Sequence, residues 1–86
     1  MNNHFPLHWQ DIDNTLVRVF IFSNFVQCVD FITKITVVAE QMHHHPDIEI
    51  FQYKHVRISL STKDAGNTIT EKDIQLAMAI DNLFSP

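Results

Sequence analysis

Pro46 separates two hydrophobic periods in this chain. Before it, Phe25, Cys28, Val29, Ile32, Ile35, Val38 (or Ala39) and Met42 recur at helical spacing and stripe one face. After it, Ile48, Ile50 and Gln52 alternate with Glu49, Phe51 and Tyr53, the period of a strand. Proline disfavours helical geometry in the residue before it, so the helix must end on His43, His44 and His45. Asn24, with Gln27 three residues on, supplies the start signal. The spacing predicts a helix from about 24 to 43.

The rest of the chain fits around that switch. Leu16 to Phe22 is β-branched and aromatic, with Arg18, Phe20 and Phe22 on one parity and Val17, Val19 and Ile21 on the other. It reads as a strand whose aliphatic row is buried. Val56, Ile58 and Leu60 alternate with Arg57, Ser59 and Ser61, a strand joined to the one around Ile48, Ile50 and Gln52 near Tyr53-Lys54-His55 as a hairpin. Gly66, the only glycine, is expected to hold a positive-φ turn. Thr70-Glu-Lys-Asp73 opens a second helix with Ile74, Ala77, Met78, Ile80 (or Asp81) and Phe84 as its stripe. Residues 1–13 read as a loosely ordered lead-in containing Trp9, residues 1–8 in particular. The expected fold is α+β: one domain over 1–86, order β-α-β-β-α, with an antiparallel sheet and two helices on one face. A small sheet leaves exposed strand edges, which favours its extension by a second copy of the chain.

Composition narrows function by exclusion. A formal charge of −4 and a pI near 5.8 disfavour direct binding of nucleic acid. The single cysteine, Cys28, excludes an internal disulfide and a cysteine zinc cage, and its place on the apolar stripe makes it a core residue. No segment has the pattern of a signal peptide or membrane span, so a cytoplasmic setting is expected.

Six histidines against six lysines and arginines is the unusual count. Glu40 and His44 are four apart, so on a helix they share a face, and a carboxylate there can fix one imidazole. The last helical carbonyls lack partners and favour a protonated ring nearby. Histidine titrates near ~6.5 when unperturbed, which suits it to both giving and taking a proton. The spacing alone leaves three readings: a helix cap, a metal site, or an acid/base pair. Consecutive histidines lack the i, i+4 spacing of a helical zinc motif, so no metal is expected. His4, His8 and His55 have no partner pattern and read as surface residues.

The segment Ala39-Glu-Gln-Met-His-His-His-Pro46 resembles the Glu-x-x-x-His-His-Pro signature of the pterin-4a-carbinolamine dehydratases. Tyr53, the strand Val56–Thr62, Asp64-Ala-Gly66, the helix opening at Thr70 and the placement of Trp9 extend the resemblance over about residues 9–84. It implies dehydration of 4a-hydroxytetrahydrobiopterin to quinonoid dihydropterin, without metal or organic cofactor, recycling pterin for aromatic amino-acid hydroxylases. It also implies dimers or tetramers built by strand-edge pairing. Carried onto this chain, His44 and His45 are the catalytic pair, oriented by Glu40. His43, Pro46, Ser61, Thr62, Lys63, Asp64 and Trp9 are the substrate-binding candidates.

Two departures stand out. Lys63 occupies a place where the family commonly has a third histidine, and His43 one where it commonly has an aspartate. They keep two alternatives open: a relative that binds and dimerises without turnover, or one acting on another pterin, such as in molybdenum cofactor metabolism. Simpler roles are also available for single residues. Trp9 can serve packing alone, Lys63 can be a solvated loop charge, and Asp73 can be only the N3 carboxylate of a capping box with Thr70.

Overall fold

A computed structural model describes residues 5–84. His4 therefore lies outside the described residues, as does the first part of the expected lead-in. Strands β1 (Gln10–Ile12), β2 (Thr15–Ile21), β3 (Asp47–Phe51) and β4 (His55–Leu60) form one antiparallel sheet in the order β1-β2-β4-β3. Helices α1 (Phe25–Met42) and α2 (Glu71–Leu83) pack on one face of it. This is the expected α+β architecture with one strand more.

The extra strand, β1, lies inside a segment that composition marks as loose. Asp13 and Asn14 both adopt left-handed backbone, with φ of 53° and 63°. That is the geometry of a two-residue hairpin, and Asp and Asn tolerate it better than other non-glycine residues. The Asn14 N–H donates to Asp11 Oδ1 at 3.0 Å and braces the turn. Just before β1, Trp9 is buried, its Nε1 donates to Asp81 on α2 at 2.9 Å, and Arg18 binds the same carboxylate at 2.8 Å. Three polar contacts and an apolar ring thus fix a segment that has no periodicity of its own.

The sheet buries the row opposite to the expected one in β2. Leu16 and Phe20 are buried, while Val19 and Ile21 are exposed and Val17 is half-buried. Register explains this. Leu16, Arg18 and Phe20 stand beside Leu60, Ile58 and Val56, the fully buried row of β4. Both helices cover that face, so the aliphatic row is left on the uncovered one. Phe20 then joins Phe22, Phe31 and Phe84 in an aromatic cluster with neighbouring centroids 4.9 to 6.1 Å apart. His55, expected on the surface, instead stacks on Phe51 across the hairpin at 4.9 Å.

Capping signals hold where they are local. Asn24 Oδ1 accepts from the Gln27 N–H at 2.9 Å, and Gln27 Oε1 accepts from the Ser23 N–H. Gly66 has φ of 82°, as expected, and ends a 3-10 turn over Lys63–Ala65. The helix stripes need correction. In α1 the buried residues are Cys28, Phe31, Ile35 and Ala39, with Phe25 and Val29 exposed. In α2 Leu76 is buried and Met78 exposed. In both helices the face that meets the sheet lies a fraction of a turn away from the sequence stripe.

Candidate functional site

The site grows from the way α1 ends. His43 takes left-handed backbone at φ 53°, its N–H bonds to the Glu40 carbonyl, and the His44 N–H bonds to the Ala39 carbonyl. This paired arrangement stops the helix and satisfies carbonyls that would otherwise be open. Glycine usually occupies such a position, because other residues pay about 1–2 kcal/mol there. The helix therefore ends at Met42, one residue earlier than Pro46 alone suggests.

That turn redirects both following histidines. His44 does not pair with Glu40. Its Nε2 lies 2.6 Å from Asp73 Oδ1, at the start of α2, and its side chain is only 11% exposed. His45 takes Glu40 instead, Nε2 to Oε2 at 2.6 Å, with both side chains about two-thirds exposed. The i, i+4 pairing expected on an ideal helix fails because the chain leaves the helix between its two members.

Asp73 is fully buried, and each of its oxygens is occupied. Oδ2 accepts from Thr62 Oγ1 at 2.8 Å and from the Thr70 N–H at 2.9 Å. Thr62 Oγ1 also lies 2.6 Å from Thr70 Oγ1. Since the one proton of Thr62 goes to Asp73, Thr70 is the donor in that pair. A carboxylate so arranged is an acceptor, so it calls for a proton on His44 Nε2 and leaves Nδ1 as the basic atom of the neutral ring. This tautomer is inferred from the network. A buried carboxylate with three partners is also a satisfied one.

Thr62 is set by backbone as well. Its N–H bonds the Thr68 carbonyl at 2.9 Å, closing a bridge over the Gly66 turn. The loop therefore delivers Thr62 to Asp73 and places Lys63 and Asp64 beside it.

Around these groups lies an open pocket of about 220 Å³, lined by His43, His44, His45, Ser61, Thr62, Lys63, Asp64 and Lys72. Seven of these were candidates from sequence. Lys72 was not, although it sits one residue before Asp73. Three other candidates lie elsewhere. Glu40 and Pro46 line an adjoining hollow with His45 and Ile48. Trp9 does not line the pocket: its partner Asp81 is eight residues along α2 from Asp73, about 12 Å at the helical rise. Asp73 is a capping residue by its sequence position. It is both cap and histidine partner, and only the contact between helices reveals the second role.

An imidazole backed by a buried carboxylate, with a second imidazole beside it, can move protons to and from a bound ligand. Among the described residues, no group of three or more His, Cys, Asp or Glu side chains is placed to hold a metal ion. Among the described residues, no helix is long and apolar enough to cross a membrane.

Comparison with known proteins agrees with the architecture. The family model described as pterin 4 alpha carbinolamine dehydratase matches residues 1–83. A protein of Picosynechococcus sp., provisionally named a pterin-4-alpha-carbinolamine dehydratase, is 44% identical over 81 residues, covering 94% of this chain and 85% of its own. The crystal structure of a Brucella melitensis transcriptional coactivator/pterin dehydratase superposes with a TM-score of 0.83 at 28% identity, covering 92% of this chain and 84% of that one. A pterin dehydratase-like RuBisCO assembly factor of the alpha-carboxysome shares the fold, with a TM-score of 0.69 at 23% identity, covering 93% and 90%.

Proposed function

The chain belongs to the pterin 4 alpha carbinolamine dehydratase family, and from that premise we propose that it dehydrates 4a-hydroxytetrahydrobiopterin. The reaction removes the proton from N5 of the pterin, breaks the bond from C4a to the hydroxyl oxygen, and releases water and quinonoid dihydropterin. The electron pair left on N5 expels the hydroxyl, so the protein has two tasks: to take one proton and to give another.

His44 is the base. Its Nδ1 is the acceptor left by the Nε2 contact to Asp73, and the carboxylate stabilises the imidazolium as it forms. His45, held by Glu40 at the rim, protonates the departing hydroxyl and exchanges protons with water. Ser61, Thr62, Asp64 and His43 supply polar contacts to the ring. Pro46 holds the turn, and Trp9 acts through packing.

The buried His44–Asp73 pair at a pocket wall is the observation that carries this reading. Freshly generated 4a-hydroxytetrahydropterin, followed optically with wild type, His44→Ala and His45→Ala, tests it. Variants as fast as wild type would remove the acid/base assignment.

Recycling of pterin for aromatic amino-acid hydroxylases in the cytoplasm is the proposed setting. A homo-oligomer is the proposed state, because β3 is an edge strand and Val26, Val29 and Val37 leave one side of α1 apolar and exposed. Lys63 favours a second reading, in which the chain binds a partner without turnover or takes another pterin. Absence of dehydration above buffer, with stable capture of a protein partner, would select the binding role.

A further inference from the structure

Thr62 is fixed by its backbone on both sides. Its N–H donates to the Thr68 carbonyl at 2.9 Å, and its own carbonyl accepts from the Ala65 and Asn67 N–H groups at 3.2 and 3.1 Å. These bonds close the turn around Gly66, so Thr62 cannot shift without opening the loop. A β-branched side chain is also stiff at its first torsion. The residue is buried, yet it reaches the wall of the histidine pocket.

Its hydroxyl is equally committed. Oγ1 receives the Thr70 proton at 2.6 Å and gives its own to Asp73 Oδ2 at 2.8 Å. What remains for a ligand is a lone pair and no proton.

The donors that reach Asp73 come from three places in the fold. His44, after α1, takes Oδ1. The Thr70 N–H, at the cap of α2, and the Thr62 hydroxyl, after β4, share Oδ2. A capping box needs only the second of these. Two contacts let a carboxylate tilt about the line that joins them, and a third from another element fixes its plane. That plane sets how Oδ1 meets the His44 ring, since a side chain is oriented by the hydrogen bonds behind it.

We propose that Thr62 is a positioning residue. Its hydroxyl locks the Asp73 carboxylate so that neutral His44 keeps its proton on Nε2 and presents Nδ1 as the base. The inference rests on the dehydratase reading above for the reaction and adds a residue that acts through two others.

Two variants separate hydroxyl from shape. Thr62→Val keeps the shape and loses the hydroxyl, while Thr62→Ser keeps the hydroxyl and loses the methyl. Nitrogen-15 spectra of the ligand-free protein at alkaline pH, where imidazole is neutral, read the tautomer of His44. Its signals are those missing from His44→Ala. Wild type and Thr62→Ser should show the Nε2–H form, and Thr62→Val a mixture with the Nδ1–H form. His45, held by Glu40, is the internal control, and its signals should not move. In the dehydration assay Thr62→Val should lower kcat by a factor on the order of 10 to 10², with KM changed less than about threefold. Thr62→Ser should restore most of that loss.

An unchanged His44 tautomer or an unchanged kcat in Thr62→Val overturns the proposal. So does an equal loss in Thr62→Ser, which would assign the effect to the methyl, or a rise in KM alone, which would make Thr62 a ligand contact only. Thr62→Ala, which also lacks the hydroxyl, takes its place if Thr62→Val fails to fold. An Nδ1–H ring at His44 in wild type removes the arrangement outright. Absence of turnover in wild type would sink the dehydratase reading, while the tautomer comparison would still decide the role of Thr62.

Discussion

His44 Nε2 meets Asp73 Oδ1 at 2.6 Å across 29 residues of chain, and this contact ties the end of one helix to the start of the other. It joins the turn after α1 to the capping box of α2. Local stability and the proposed proton transfer therefore depend on one carboxylate.

Asp73→Asn is expected to lower kcat by a factor on the order of 10² to 10⁴. The amide keeps the volume but no longer stabilises an imidazolium at His44. His44→Ala should lose at least as much. A dehydration assay run beside thermal melts separates the chemical loss from unfolding. An Asp73→Asn enzyme with wild-type kcat would remove the carboxylate from the mechanism.

Glu40→Ala should change stability by less than about 1 kcal/mol, because the Glu40–His45 pair is largely exposed to water. Urea denaturation measures this. A larger loss would show that the rim pair supports the fold rather than only the position of His45.

His43→Gly should raise stability by about 0.5–1 kcal/mol, since it relieves the left-handed strain of about 1–2 kcal/mol and adds some unfolded-state freedom. His43→Val should lower it, a β-branched residue being poorly tolerated at φ 53°. Paired melting curves check the sign of each.

Phe20→Ala is expected to cost about 3–5 kcal/mol, and Val19→Ala under about 1 kcal/mol. The two residues are neighbours on β2, one buried among aromatic rings and the other on the uncovered face. Equal costs would mean that the uncovered face is covered in solution, for instance by a second copy.

Burial pushes the Cys28 thiol above its ordinary range, with the weaker opposing effect of a backbone hydrogen bond. Its stabilising share is therefore complete below the ordinary thiol value, about 8.5, and is lost as pH rises from there through the folded value. Stability measured from pH 7 to 10 should fall on the alkaline side, and Cys28→Ala should flatten that limb. An unchanged limb in the variant would assign the fall to other groups.

The elements were legible because their signals act over a few residues. The periods on either side of Pro46, the caps at Asn24 and Thr70, and the turn at Gly66 each depend on neighbours within about one helical turn. The histidine-proline motif and its surroundings likewise marked the pocket loops, and seven of its eight lining residues were candidates from sequence.

Packing decided the rest. Both rows of β2 are apolar, so alternation cannot say which is buried; the side on which α1 and α2 lie chooses Leu16 and Phe20. Gln10–Ile12 has no strand pattern and becomes one only by pairing with β2. Glu40 and His44 share a face on an ideal helix, but the left-handed turn at His43 hands His44 to Asp73. Local spacing carries helix and strand period, while partners 29 or 72 residues apart, such as His44 with Asp73 and Trp9 with Asp81, exist only once the helices are seated on the sheet.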